Sequence, residues 1–409
     1  MSYNTFPKGR FKVKPNHAGT QTRIDPSIHL VLGEKIWNYP RIAFFRDYFS
    51  LHDDGDFFIM HKDALSQHAN VFGLTGTGKT TFLEEVTAQL RGLPILILNL
   101  AKENQESRFK VDIPLKYGSF GLDAPYIPCL PKALDLVENY IERSSTNLVA
   151  MMAFKHEVKR ILPIVMMNWV KKRKCMPESV ITLFKSLINY IKKYSYAGDF
   201  HKNLLNTTRN RVKYIVKNEY LVHALRYLPH VPWWFGEWVK GKTVFIDLSR
   251  CDSVARQLIT YNIFQLVRAY IPKVETNKLK YLIICDEAHK ILRKPTSGDK
   301  DDMEYITKMR TQAIIEELLM EFRSMGVGMI IADQQPSSLM KCAYSLASNK
   351  FLFRLNHPCY SLFSTNRDEW EAISRLEDRQ LIAIVNGKPA GMQTIDKNEL
   401  SFKLLLEDG

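Results

Sequence analysis

Residues Gly73 to Thr81 read Gly-Leu-Thr-Gly-Thr-Gly-Lys-Thr-Thr, the composition that a phosphate-binding loop of the Walker A kind requires. Gly73, Gly76 and Gly78 let backbone N–H groups turn inward around a triphosphate, and Thr75, Thr77 and Thr81 complete the loop. Lys79 is placed to reach β- and γ-phosphate oxygens, and Thr80 to give its hydroxyl to Mg²⁺.

Further along the chain, Asp286-Glu287 closes the apolar run 281–285. At the carboxyl edge of a sheet, where the ligand of such a loop must lie, Asp286 would hold Mg²⁺ and Glu287 would orient and polarise an attacking water. The competing reading of this pair is an acidic cap on a helix that follows the strand. Gln334, in Asp333-Gln334-Gln335-Pro336, ends another apolar run; its amide can sense a γ-phosphate or position water without carrying charge. Arg323 lies just before that run, at the end of an amphipathic segment. It reads either as a cation that neutralises transition-state charge, across a subunit boundary if the chains form a ring, or as an ordinary cation at a helix C-terminus.

These groups need elements to position them. Residues 68–72 are strand-like and 82–90 carry apolar residues at helical spacing, so the loop has the strand-to-helix context that its chemistry demands. Context is decisive, because Gly236-Glu-Trp-Val-Lys-Gly-Lys-Thr243 satisfies the same pattern. That copy carries bulky Trp238 and β-branched Val239 and runs into the strand-like 244–248, with no helix N-terminus to face a phosphate; it reads as a turn entering a buried strand. Leu93–Leu100 is a continuous apolar run, the mark of a strand covered on both faces. Similar runs at 243–248, 280–285, 328–332 and 350–355, with a helix over 253–270, imply a doubly wound α/β sheet.

Residues 1–60 read as an N-terminal arm with short strands at 28–32, 41–45 and 57–60, too little for a separate barrel. Residues 61–130 form the first part of the α/β core, ending in a loop-rich stretch with Pro114, Pro125 and Pro128. Residues 131–235 read as an α-helical insertion, and 236–409 complete the core, with an exposed loop at 295–302.

At 409 residues, 45% hydrophobic and 24% charged, the composition is that of a globular protein with a real core. The net charge of +14 points to a polyanionic partner, nucleic acid or an acidic membrane surface, or to a solvated basic surface. Between residues 155 and 217 fifteen Lys or Arg face three acids, a local excess of +12, so most of the net charge belongs to the helical insertion. Lys171, Lys172, Arg173, Lys174, Lys192 and Lys193 are the candidate nucleic-acid contacts within it. The six cysteines are dispersed and read as reduced thiols, so a cytoplasmic protein is expected. No secretory signal is evident over 1–14, and the most apolar run, 161–170, holds Pro163 and Asn168 and is about half a membrane span, so no membrane insertion is expected.

Taken as an ordered set, 73–81, 283–289 (Ile-Ile-Cys-Asp-Glu-Ala-His) and 322–339 (Phe-Arg-Ser-Met-Gly-Val-Gly-Met-Ile-Ile-Ala-Asp-Gln-Gln-Pro-Ser-Ser-Leu) resemble the HerA/FtsK superfamily of ring ATPases, on its HerA-like branch. The resemblance covers about 60–130 and 240–395, including 381–389 as a closing hairpin. It implies a RecA-like P-loop ATPase sheet that binds ATP and Mg²⁺ and works as a homo-hexamer pumping double-stranded DNA. Under it Lys79 and Thr80 hold nucleotide and Mg²⁺, Asp286 and Glu287 are the metal and catalytic carboxylates, Gln334 is the sensor glutamine and Arg323 the trans-acting arginine. An effector such as a nuclease, in DNA-end processing or defence against foreign DNA, is the implied partner. The rivals are a conjugation, secretion or genome-packaging ATPase, and a scaffold whose ATP site sets assembly only. The sequence departs from the family pattern at Asp333, where Thr is usual, at Gln335, where Arg is usual, and in its short N-terminal segment.

Overall fold

A computed structural model describes residues 27–35, 57–100, 105–116, 141, 148–175, 177, 179–194, 199–225, 231–294, 315–356, 359, 361–363, 370, 373–385 and 388–394. Its strands are β1 (His29–Lys35), β2 (Phe57–His61), β3 (Ala69–Phe72), β4 (Ile95–Asn99), β5 (Ile113–Lys116), β6 (Thr243–Asp247), β7 (Tyr281–Asp286), β8 (Val327–Asp333), β9 (Asn349–Leu352), β10 (Gln380–Val385) and β11 (Lys388–Gln393). They form one 11-stranded sheet in the order β2-β1-β11-β10-β9-β3-β8-β7-β4-β6-β5. From β9 to β5 neighbouring strands are parallel; from β9 outward through β10, β11 and β1 to β2 they are antiparallel.

The inner parallel strands are almost entirely buried because helices cover both faces. β4 is Ile-Leu-Ile-Leu-Asn and β8 is Val-Gly-Met-Ile-Ile-Ala-Asp, every residue of both being buried. Helix α1 (Lys79–Gln89) lays Phe82, Leu83 and Val86 into the core of one face, together with Val71, Ile97 and Ile284. The helices α2 (Leu148–Arg173), α3 (Val180–Tyr194), α4 (Asp199–Lys217) and α5 (Glu219–Ala224) share the other core with Leu96, Leu98, Val244 and Ile246. The strongly apolar face of α3 supplies Leu183, Phe184 and Leu187, while Lys192 and Lys193 stay exposed at its end. Helix α6 (Trp233–Val239) enters β6, and α7 (Ser253–Tyr270) is capped by Asp252, whose side chain accepts from the Ala255 N–H at 2.9 Å. Residues 315–324 form α8, which leads into β8, and α9 is Lys341–Ser345.

Several expectations need correction. The second loop-like sequence is not a turn throughout: residues up to Val239 are helical and Trp238 is fully buried, so only 240–242 turn. Gly241 is required there, with φ +103° and room for a Cβ blocked by the Gly92 carbonyl oxygen at 2.8 Å. Pro114, read as loop, lies in β5, an edge strand, where a missing N–H is tolerated. The strands expected at 28–32 and 57–60 form, but not as an arm apart from the core: β1 and β2 pair with each other and extend the main sheet through β11. The segments 41–45 and 295–302 lie outside the described residues. Among the described residues no helix is long and apolar enough to cross a membrane.

Candidate nucleotide site

Each strand of the parallel set ends at the same edge of the sheet, and the residues with chemistry leave from that edge. Phe72 is level with Asp333 and Asn99 with Asp286 across their ladders. Gly73 follows β3, Glu287 follows β7, and Gln334 follows β8, which lies between β3 and β7. Adjacent strands are about 4.8 Å apart, so the phosphate loop and the acid pair flank Gln334 within side-chain reach.

The loop geometry fits a phosphate chain. Gly76 and Gly78 take φ of +84° and +106°, and a Cβ on Gly73 would stand 2.5 Å from Phe353 Cβ and 2.8 Å from Thr77 Oγ1. These three positions therefore exclude side chains on conformational or steric grounds. Thr77 is fully buried and its hydroxyl donates to the Leu74 carbonyl at 2.8 Å, closing the loop on itself. The Gly73 N–H donates to the Asp333 carbonyl at 3.2 Å and the Leu74 N–H to that of Arg354 at 2.8 Å, so β8 and β9 anchor the loop entrance. Lys79, 6% exposed, donates from Nζ to the carbonyls of Gly73 at 2.6 Å and Leu74 at 2.9 Å. The ammonium is thus held inside the loop that its phosphate chemistry serves. Thr80 and Thr81 are half-buried in the first turn of α1, where orphan N–H groups and the helix dipole favour an anion.

The acid pair is more constrained than an ordinary helix cap. Asp286 is the last residue of β7, and its carboxylate accepts from the Glu287 N–H at 3.0 Å. Glu287 is 2% exposed and takes φ +57°, a left-handed conformation uncommon for a side-chain-bearing residue. It occupies the cap position of a 3-10 turn, yet its side chain caps nothing. Instead Gln334 Nε2 donates to Glu287 Oε1, and Thr75 Oγ1 donates to Gln334 Oε1 at 2.5 Å. One amide therefore connects the phosphate loop to the carboxylate. Cys285, directly behind Asp286, is fully buried and its thiol is pushed well above the usual range by desolvation, so it supplies no nucleophile.

Two residues whose site roles sequence reasoning missed complete this edge. Asp333, fully buried, accepts the backbone N–H groups of His289 at 2.6 Å and Gln335 at 2.7 Å, and His289 Nδ1 at 3.0 Å. The acid at a position where the family pattern has Thr thus ties the loop after β7 to the loop after β8. His289 also stands 3.6 Å from Glu287 Oε2. Its place in Asp-Glu-Ala-His was visible in the sequence, but its partner, on another strand, was not.

The other sequence candidates lie elsewhere. Arg323 is exposed in the last turn of α8, beside His68 at the start of β3, hence at the edge of the sheet opposite its own phosphate loop. Lys171, Lys172, Arg173 and Lys174 are exposed at the end of α2, and Lys174 takes φ +59°. Arg173 lies over the Trp169 ring at 5.5 Å, while Tyr190 packs against the core as an ordinary helix-packing residue.

No family model matches the sequence, and no curated protein matches it. Solved structures do match in fold. VirB4 of Thermoanaerobacter pseudethanolicus superposes with a TM-score of 0.62 at 10% identity, over 91% of this chain and 97% of that one. The plasmid coupling protein TrwB in complex with ADP and Mg²⁺ gives 0.57 at 14% identity, over 95% and 97%. TrwB with the GTP analogue GDPNP gives 0.56 at 14%, over 90% and 95%. The architecture is therefore that of a RecA-like P-loop ATPase, as the family resemblance implied, built on the α/β sheet that the alternation of apolar runs and helices implied.

Proposed function

We propose that this protein is an Mg²⁺-dependent ATPase of the FtsK/HerA type that moves double-stranded DNA. The observation that carries the reading is the Thr75–Gln334–Glu287 relay, which joins a complete phosphate loop to a buried carboxylate. Lys79 and the loop N–H groups bind the phosphates, Thr80 and Asp286 hold Mg²⁺, and Glu287 orients the attacking water, with Gln334 reporting the state of the loop to it. Bound Mg²⁺ would neutralise charge on the phosphate oxygens. The fold likeness to TrwB with ADP and Mg²⁺ supports the choice of nucleotide and metal.

DNA as the load is supported by the basic helices, whose exposed Lys and Arg give a sequence-independent attraction to phosphate. Arg323 is exposed at the sheet edge opposite its own phosphate loop, and in this reading it serves a neighbouring copy in the ring and homo-hexamer of the resemblance. A nuclease or other effector in DNA processing or defence is the partner that the resemblance favours. The extended fold likeness to VirB4 and to a conjugative coupling protein favours a second reading, a conjugation or secretion ATPase. Steady-state ATPase of the purified chain with and without linear duplex DNA, at two salt concentrations, tests the proposal. Stimulation that fades with salt is expected; hydrolysis indifferent to DNA would remove the motor reading and leave an assembly ATPase.

A further inference from the structure

Arg379, three hundred residues from the phosphate loop in sequence, lies directly against it in space. A Cβ on Gly78 would stand 3.3 Å from both Cα and Cγ of Arg379. The Arg379 N–H donates to the Thr77 carbonyl at 2.9 Å, and the Arg379 carbonyl accepts the Thr394 N–H at 2.9 Å. These bonds hold it at φ +68°, a conformation that a side chain rarely takes and that glycine takes without strain. The closing hairpin β10–β11 is thereby pinned to the phosphate loop through one residue.

The guanidinium is held by little. Nη2 donates to the Thr394 carbonyl at a long 3.3 Å, and Nε is buried with no hydrogen-bond partner. The neighbouring carboxylate, Asp378, is taken by Arg354 at 3.0 Å. Among the described residues no acid pairs with Arg379, so a cation with an unsatisfied buried donor stands beside Gly78. Buried donors are nearly always satisfied in proteins, and a fork of N–H groups matches phosphate oxygens. Loop N–H groups of this type cradle the α- and β-phosphates.

We propose that Arg379 is a nucleotide-binding residue, acting in its own chain, that contacts the diphosphate part of the bound nucleotide and links it to the C-terminal hairpin. This rests on the ATP-binding reading above. The decisive variant is Arg379→Gly, which keeps the backbone bonds and relieves the left-handed strain while removing the whole side chain, guanidinium included; Arg379→Lys keeps the aliphatic stem beside Gly78. Binding of a fluorescent ADP analogue is measured by anisotropy, with competition by ADP, ATP and AMP, for wild type, Arg379→Gly, Arg379→Lys and Lys79→Ala. Thermal unfolding midpoints are recorded alongside. Arg379→Gly is expected to weaken ADP and ATP about tenfold or more, to leave AMP within about twofold, and to keep its midpoint at or above that of wild type. Arg379→Lys, with a point charge in place of the fork, should recover part of the loss. If Lys79→Ala abolishes binding while Arg379→Gly binds ADP like wild type, Arg379 is only a brace on the loop and the proposal fails with the ATP reading intact. A loss confined to ATP would also overturn the diphosphate assignment, and a wild-type chain that binds neither nucleotide would overturn both readings.

Discussion

Replacing Gln334 with Ala isolates the link between the phosphate loop and Glu287, the carboxylate proposed to orient the attacking water. The side chain accepts from Thr75 and donates to Glu287, and nothing in it bears charge. Glu287 is 2% exposed, so water cannot freely replace the lost donor. A hydrogen bond to a charged group contributes about 1.5–3 kcal/mol, which converts to about a 10- to 150-fold fall in turnover if the bond holds Glu287 in its working position. Nucleotide binding should change little, because Lys79 and the loop backbone are untouched. The assay is steady-state ATPase with parallel nucleotide titration, run on Gln334→Ala, Glu287→Gln and the double variant. Glu287→Gln alone should lower turnover by about 10²- to 10⁴-fold. If Gln334 acts through Glu287, the double variant should be no slower than Glu287→Gln, since a positioning group has no effect once its target is gone. Near-normal turnover in Gln334→Ala, or fully additive losses in the double variant, would refute the relay.

Other predictions address parts of the molecule beyond the relay. Neutralising Lys171, Lys172, Arg173 and Lys174 should weaken duplex binding and flatten the dependence of log K on log salt by about 0.9 for each DNA phosphate that the protein no longer neutralises; an unchanged slope, measured by anisotropy on a labelled duplex, would assign these residues to solvent or a protein partner. Mixing Arg323→Ala with Lys79→Ala chains, each expected to be inactive alone, should restore ATPase if Arg323 serves a neighbouring subunit, because mixed assemblies then contain intact composite sites; no recovery in mixtures shown by mass to contain both chains would refute the trans role, and an Arg323→Ala chain active by itself would place Arg323 outside catalysis. Burial pushes His68 down to about 4, where its Nε2–H donates to the Leu319 carbonyl at 2.8 Å and its Nδ1 accepts the Met329 N–H at 3.1 Å. Because the folded value is depressed, this stability is present above the ordinary 6.5 and is lost as pH falls through about 4, a total of about 3 kcal/mol. Urea midpoints from pH 7 to 4 should therefore fall more steeply for wild type than for His68→Asn, which tolerates the left-handed backbone and keeps an acceptor; parallel curves would show that His68 is not the titrating group.

Much of the site was legible in the sequence because it is local. A phosphate loop is nine consecutive residues between a strand and a helix, and its glycines announce the backbone that they permit. Apolar runs ending in Asp286-Glu287 and Asp333-Gln334 announce strands covered on both faces, whose ends carry polar groups to one edge. The same local reading separated Gly73–Thr81 from the copy at 236–243, since only the first is followed by a helix.

What no local pattern contained is adjacency. The placement of β8 between β3 and β7 puts Gln334 between Thr75 and Glu287, and strand order is a property of how hydrophobic surfaces pack rather than of any one segment. Asp333 is a departure from the family pattern in sequence, and in the fold its carboxylate holds His289 and Gln335. The pairing of β1 with β11, separated by most of the chain, and the seating of Arg379 on Gly78 are set by closure of the whole sheet. Arg323 stands in the last turn before β8, as its sequence position implied, and the fold puts that turn at the edge opposite its own phosphate loop. The sequence determined which chemistry is available, because functional groups and backbone permissions are written residue by residue; the tertiary structure decided which groups meet, because contact distances follow from packing the entire chain.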